Sequence, residues 1–270
     1  MKAHDVRQHF AQRATWVDWA ANKTCDQFLH GSGDTEVTGI AVGWIMTRQM
    51  ARAAAAAGIN LFITHEPIFY EGYWWRREKP GATERAVAEK KRELDQLGMT
   101  VLRCHDTWDR WPGIGIPDAW AAYLGLENYR RKPLSFYGKA TFAPTSVRAL
   151  GRKILRKVDR LGQQHVQVFE PQAKLSSICI GTGAITDLAA MLDEVKAGCY
   201  LVTNDGTNTW SAEAQSIDQS IPLIRVDHAT AELPGIIELA GYLAETYPGI
   251  RLVHFQYGRP YEVLVLNSKR

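Results

Sequence analysis

Two stretches of this chain place a histidine at the end of an apolar run and a carboxylate four residues later. In the first, Val101-Leu102-Arg103-Cys104-His105 is followed by Asp109. In the second, Ile224-Arg225-Val226-Asp227-His228 is followed by Glu232. Upstream of each, a glycine precedes another ligand-type side chain by seven residues: Gly58 before His65, and Gly198 before Asp205. Imidazole nitrogen and carboxylate oxygen are the usual mixed donors for Zn, Fe or Mn. Carboxylates can also bridge two cations, and paired metals are a common hydrolytic device. A single histidine at a strand end is more often a hydrogen-bonded structural residue, and a lone histidine-to-carboxylate spacing is equally weak. Two copies with matching flanks are harder to assign to chance. They point to a metal role for His65, Asp109, His228 and Glu232. His105 reads as the candidate catalytic group, facing substrate or carrying a proton, since imidazole titrates near neutral pH.

The elements that would position these groups alternate between strand and helix. Residues 4–14 read as a helix and 37–42 as a buried strand. Thr47 is a plausible N-cap for an alanine-rich helix that Gly58 closes. Strands are predicted over 61–64 and 100–104, with a helix over 83–97 between them. The same order recurs with strands over 177–180, 200–203 and 223–226 and helices over 185–196, 212–217 and 233–246. Strands over 251–256 and 261–266 close the chain. Such alternation predicts an α/β fold of two similar lobes from an internal duplication, with the metal site between them. The division is a first lobe over 1–125, a junction over 126–173 holding a helix near 146–161, and a second lobe over 174–270. Functional groups of parallel sheets gather beyond the carboxyl ends of the strands, where His65, His105 and His228 fall.

Composition narrows the function classes. The chain has 270 residues, 46% hydrophobic and 23% charged, with a formal net charge of +3. These are values of an ordinary globular protein. Arg130, Arg131 and Lys132 form a short basic run, which reads as a solvated loop, and nucleic acid is not expected as a partner. No apolar run approaches the roughly 18 residues of a membrane span, and no secretory signal is recognisable. Cys104, Cys179 and Cys199 lie inside apolar runs and read as buried free thiols, and a cytoplasmic location is inferred from this cysteine usage. Two weaker signals have two readings each. Gly181-Thr182-Gly183 fits a tight turn or a phosphate cradle at a helix N-terminus. Trp74, Trp75, Trp108 and Trp111 fit core or interface packing, or a wall that stacks on a heterocycle.

Taken together, the motifs resemble those of the Nif-three-like dinuclear metal-centre family, the GTP cyclohydrolase 1 type 2 homologs. Thr64-His65-Glu66-Pro67-Ile68-Phe69 resembles that family's T-H-H-P-L-x-F. The stretch from His105 to Asp109 resembles H-T-N-L-D, that from Asp227 to Glu232 resembles G-H-Y-x-x-E, and Thr203-Asn204-Asp205 resembles T-G-D. The blocks run in family order from about residue 37 to 266. The resemblance implies metal ligands at His65, Glu66, Asp109, His228 and Glu232, holding two divalent ions (Fe, Mn or Zn). It implies a toroidal homohexamer and hydrolysis of a small heterocyclic or nucleotide-like molecule. A metal-delivery scaffold without turnover is the alternative. The chain departs from the pattern at Glu66, where the family has His, at Gly43-Trp44, where an Asp is usual, and at Asn204, where the family has Gly.

Overall fold

In the computed structural model, residues 1–20, 23–70, 81–258 and 260–264 are described. The chain forms α1 (Ala3–Arg13), β1 (Phe28–His30), β2 (Ile40–Gly43), α2 (Arg48–Ala56), β3 (Leu61–Thr64), α3 (Gly81–Gln96), β4 (Thr100–Arg103) and α4 (Ile116–Leu124). It continues with β5 (Arg130–Arg131), β6 (Gly138–Ser146), α5 (Val147–Val158), β7 (Gln167–Val168), β8 (Lys174–Ile180), α6 (Leu188–Glu194) and β9 (Tyr200–Thr203). It ends with α7 (Ala214–Gln219), β10 (Leu223–Val226), α8 (His228–Thr246) and β11 (Leu252–Phe255). Two compact units result. Met1–Ile116 with Gly235–Gln256 form one, and Pro117–Pro234 with the chain from Tyr257 onward form the other.

The first unit is built on the sheet β1-β4-β3-β2-β11. β11, β2, β3 and β4 are mutually parallel and β1 is antiparallel to β4. Every residue of β2 and β3 is buried, which is why they read as unbroken apolar runs. Alternate side chains serve opposite faces. Ile40, Val42, Leu61, Ile63 and Leu102 pack with Phe10 of α1 and with Ile236, Leu239 and Leu243 of α8. Ala41, Phe62 and Val101 pack with Ala51 and Ala54 of α2 and Leu94 of α3. Thr47 caps α2 by accepting the Met50 amide at 3.2 Å, as its sequence position predicts. Lys90 of α3 is buried and donates to the carbonyls of Met46 and Ile68, each at 2.8 Å.

The second unit carries the sheet β5-β6-β8-β9-β10-β7. β8, β9 and β10 are parallel, flanked by antiparallel β6 and β7. The two sheets share a four-strand motif. β1, β2, β3 and β4 lie in the order 1-4-3-2, and β7, β8, β9 and β10 lie in the equivalent order 7-10-9-8, each with an antiparallel outer strand. Register makes the equivalence residue by residue. Thr64 pairs with Arg103, and Thr203 pairs with Val226. His105 is therefore the counterpart of His228, and Asp109 of Glu232. Counting from Gly58 and Gly198 had set His65 against Asp205, but register sets Glu66 there and His65 against Asn204. The offset arises because Gly58 precedes its strand by one residue more than Gly198 does.

Other boundaries differ from the sequence reading. Strands β5, β6 and β7 come from residues 126–173, the segment read as a junction. Pro144 and a register shift between Thr141 and Thr145 hide the strand character of β6. Helix α8 starts at His228, five residues before the expected start, and carries Pro234 in its interior. The region 185–196 splits into a 3-10 turn over Gly183–Ile185 and α6, which Asp187 caps by accepting the Ala190 amide at 2.9 Å. Residues 261–264 form no strand, and 265–266 lie outside the described residues. Arg131 is not a solvated loop residue. It makes a two-point contact with Asp118, at 3.0 and 2.6 Å, and is nearly buried.

Candidate metal centre

Parallel strands end together, so β3 and β4 deliver their following residues to one edge of the first unit's sheet. His65 follows β3 directly and is buried. Its Nδ1 faces the Cys104 carbonyl at 3.1 Å. A carbonyl only accepts, so Nδ1 carries a proton and Nε2 is the nitrogen turned toward the site. That nitrogen lies 3.4 Å from Asp109 Oδ1. The ring stacks on His105, with centroids 4.6 Å apart. His65, His105 and Asp109 offer ligand atoms within 4.8 Å of one another.

Asp26 holds the loop that carries His105 and Asp109. This buried carboxylate accepts the amides of His105 at 2.6 Å, Asp106 at 3.0 Å and Thr107 at 2.8 Å. Burial pushes its carboxyl pKa up, against those hydrogen bonds. His105 Nδ1 is shared among Asp106 Oδ1 at 3.1 Å, Asp109 Oδ2 at 3.4 Å and Cys25 Sγ at 3.6 Å. Burial alone would lower the imidazole, but the charge of Asp109 and the bonds to Asp106 and Cys25 outweigh it and hold its pKa well above the ordinary value. Burial likewise works to raise Asp106, yet bonds from His105, Cys25 and Thr24 keep it well below the usual carboxylate range.

Glu66 lies next to His65, and its Oε2 is 3.2 Å from Arg103 Nη2. Arg103 Nε also donates to the His65 carbonyl at 2.9 Å. The anionic charge that Glu66 brings in place of histidine is thus met by a guanidinium from the neighbouring strand.

The second unit repeats the device. His228 opens α8, and its amide is capped by Asn204 Oδ1 at 2.8 Å. Its Nδ1 faces Asp205 Oδ2 at 2.6 Å, and its Nε2 lies 3.0 Å from Glu232 Oε2. Spacing of four residues in a helix puts both on one face. At that distance a proton or a metal ion can join the two. A carboxylate on the far nitrogen is the usual orienting partner of a ligating histidine. Gly183, at φ +66°, lies against this pair. A Cβ there would sit 2.7 Å from Glu232 Oε1 and 3.0 Å from His228 Nε2. Its carbonyl is fixed by Thr186 Oγ1 at 3.0 Å and Thr203 Oγ1 at 2.6 Å. In the first unit His65, His105 and Asp109 could hold a metal ion, and in the second His228 and Glu232 offer two donors.

The Duf34/NIF3 (NGG1p interacting factor 3) family model matches residues 1–258. The chain belongs to this family. A GTP cyclohydrolase 1 type 2 homolog from Chlamydia pneumoniae is 22% identical over 229 residues, covering 81% of this chain and 84% of that protein. Among solved structures, a Bacillus cereus protein related to NIF3 matches with a TM-score of 0.77 at 10% identity, over 98% of this chain and 99% of that one. The Staphylococcus aureus protein SA1388 matches with a TM-score of 0.76 at 16% identity, over 98% and 99%. HcgD from Methanocaldococcus jannaschii, solved in its reduced form, matches with a TM-score of 0.71 at 14% identity, over 95% and 98%. At these identities the structures show the shared NIF3 fold.

Within this family member, the first unit brings together His65, Glu66, His105 and Asp109, and the second brings together His228 and Glu232. Sequence reasoning missed Asp26, Cys25 and Arg103 beside the first set and named Gly183 only as a turn or phosphate cradle. Asp26 and Cys25 precede β1, whose antiparallel pairing with β4 carries them to the end of β4, and β1 was not recognised. Trp108 and Trp111 are core residues. Their rings stack at 5.2 Å, and the Trp108 indole donates to the Gly235 carbonyl at 2.7 Å. Trp111 meets Phe10 edge-on, and both indoles pack beside Tyr242. Trp74 and Trp75 lie outside the described residues. Cys104, Cys179 and Cys199 are buried free thiols, as their settings predict. Among the described residues no helix is long and apolar enough to cross a membrane.

Proposed function

We propose that this NIF3 family member binds two divalent metal ions through His65, Glu66, Asp109, His228 and Glu232 and uses them in hydrolysis of a small heterocyclic or nucleotide-like molecule. The observation that carries the reading is the His228–Glu232 pair: an imidazole oriented by Asp205 meets a carboxylate at 3.0 Å, a separation that a proton or a metal ion can bridge. His65 and Asp109 support it at the equivalent strand ends. That both sets serve one shared centre is an expectation from the family resemblance. Divalent metals, when bound, supply Lewis acidity and a water of lowered pKa. The chain's own groups orient and balance the site. Asp205 and the Cys104 carbonyl fix the two imidazoles, Asp26 fixes the Asp109 loop, and Arg103 offsets Glu66. His105 is proposed to hold or move a proton at this centre.

A second reading is metal binding or delivery without turnover. The Glu66–Arg103 contact favours it, because a carboxylate engaged by a guanidinium is a weaker metal donor. Metal analysis of the purified protein, followed by exchange against a chelator, separates the two. A tightly held pair of ions supports hydrolysis, and rapid loss supports delivery. Absence of metal, even after incubation with Zn, Mn and Fe(II) salts, refutes both.

A further inference from the structure

Beside the His65–Asp109 set lies a donor cluster that the family resemblance does not assign. Cys25 Sγ, His105 Nδ1 and Asp106 Oδ1 form a triangle with edges of 3.0 Å (Sγ to Oδ1), 3.1 Å (Nδ1 to Oδ1) and 3.6 Å (Sγ to Nδ1). Donors around one tetrahedral zinc are roughly 3.3–3.6 Å apart, given bonds of about 2.3 Å to sulfur and about 2.0 Å to nitrogen or oxygen. We propose that Cys25, His105 and Asp106 bind a thiophilic divalent cation, zinc foremost, at a site of their own.

The fold places these donors for a stated reason. β1 runs antiparallel to β4, with Phe28 opposite Leu102. The residues just before β1 therefore meet those just after β4. Asp26 then clamps the His105–Thr107 amides, so the two loops are tied together next to the donors themselves. The Asp106 carboxylate is oriented as a ligand would be. Its Oδ2 accepts the Thr24 hydroxyl at 2.7 Å and the Cys25 amide at 3.0 Å, which turns Oδ1 toward the sulfur and the imidazole. Partners of this kind fix ligands and are worth about 10- to 100-fold in affinity. The His105 and Asp106 side chains are partly exposed, so an ion can reach them. A thiolate and a carboxylate together neutralise a divalent charge. On binding, the Cys25 thiol proton and the His105 Nδ1 proton leave to solvent, the ring keeping its Nε2 proton, and the metal takes both vacated lone pairs. A sulfur donor selects zinc or a softer ion over Mn or Mg.

Cobalt(II) is the probe, because thiolate coordination gives a charge-transfer absorption in the near ultraviolet. Reduced, metal-free protein titrated with cobalt should develop that band, and zinc should abolish it. Cys25→Ser should remove the band, and Asp106→Asn should weaken zinc binding at least about tenfold. The band should survive His65→Ala, which separates this site from the proposed hydrolytic centre. In the unsubstituted protein, zinc should protect Cys25 from alkylation, read by peptide mass spectrometry, so the test does not depend on any variant folding. No band at saturating cobalt, a band retained in Cys25→Ser, or alkylation of Cys25 unaffected by zinc would each overturn the proposal. In that event the thiol is only a hydrogen-bond donor to Asp106.

Discussion

Gly183 sets the tightest steric demand around His228 and Glu232. Any side chain there meets Glu232 Oε1 at 2.7 Å and must adopt φ +66°. Gly183→Ala should lose about 1 kcal/mol from backbone strain and weaken metal binding severalfold to tenfold by displacing the ligand pair. Gly58→Ala is the control, since it shares positive φ (+75°) with nothing within 4 Å of the added carbon. It should lose a similar stability and leave metal binding unchanged, as calorimetric titration would show. Glu66 carries a second prediction. A hard carboxylate suits Mn or Fe, so Glu66→His should raise the zinc-to-manganese affinity ratio. It should also cost about 1–3 kcal/mol, because Arg103 loses its anionic partner. An unchanged ratio would mean that Glu66 is not a metal ligand. The replacement of histidine by Glu66 is visible in sequence. Its partner is not, because Arg103 is 37 residues away and only strand pairing brings it alongside.

At the scale of elements, the unbroken apolar strands were legible to the residue: β3, β9 and β10 run as their sequences predict. Buried parallel strands leave no other place for such runs. β1 was illegible because it has three half-buried residues and no alternation, yet it delivers Asp26 and Cys25. Asp26→Ala strips three amides, one of them in a buried bond, of their acceptor and should cost about 3 kcal/mol or more. Metal bound through Asp109 should weaken with it, and denaturant melts with and without metal would measure both. Lys90 predicts a pH dependence. Burial, aided by Arg48 and opposed by Glu93, lowers its pKa from the ordinary 10.5 to about 8. Between those values the unfolded state binds more protons, so this group's contribution to stability rises with pH. Urea midpoints of the natural protein should therefore gain on those of Lys90→Met as pH is raised across that window. Parallel curves would show that the amine is not held at a lowered pKa.

For the molecule as a whole, the duplicated spacing in sequence was the trace of two sheets that share the order 1-4-3-2 and 7-10-9-8. Repetition of chemistry at fixed spacing survives where overall sequence likeness does not, because strand ends fix where ligands can stand. What sequence hid was the discontinuity of the units. Residues 235–256 return to the first unit, since α8 buries Ile236, Leu239 and Leu243 against the sheet that β11 joins. Assembly as a hexamer remains an expectation from resemblance, and light scattering on the purified protein would test it. The central claim is that the histidine–carboxylate pairs hold metal, and metal content per chain is its most direct test. Protein purified without chelator should carry stoichiometric Fe, Mn or Zn, with content falling in His65→Ala and in His228→Ala. Protein that holds no stoichiometric metal after incubation with all three ions, or whose metal content is unchanged in both variants, would contradict it.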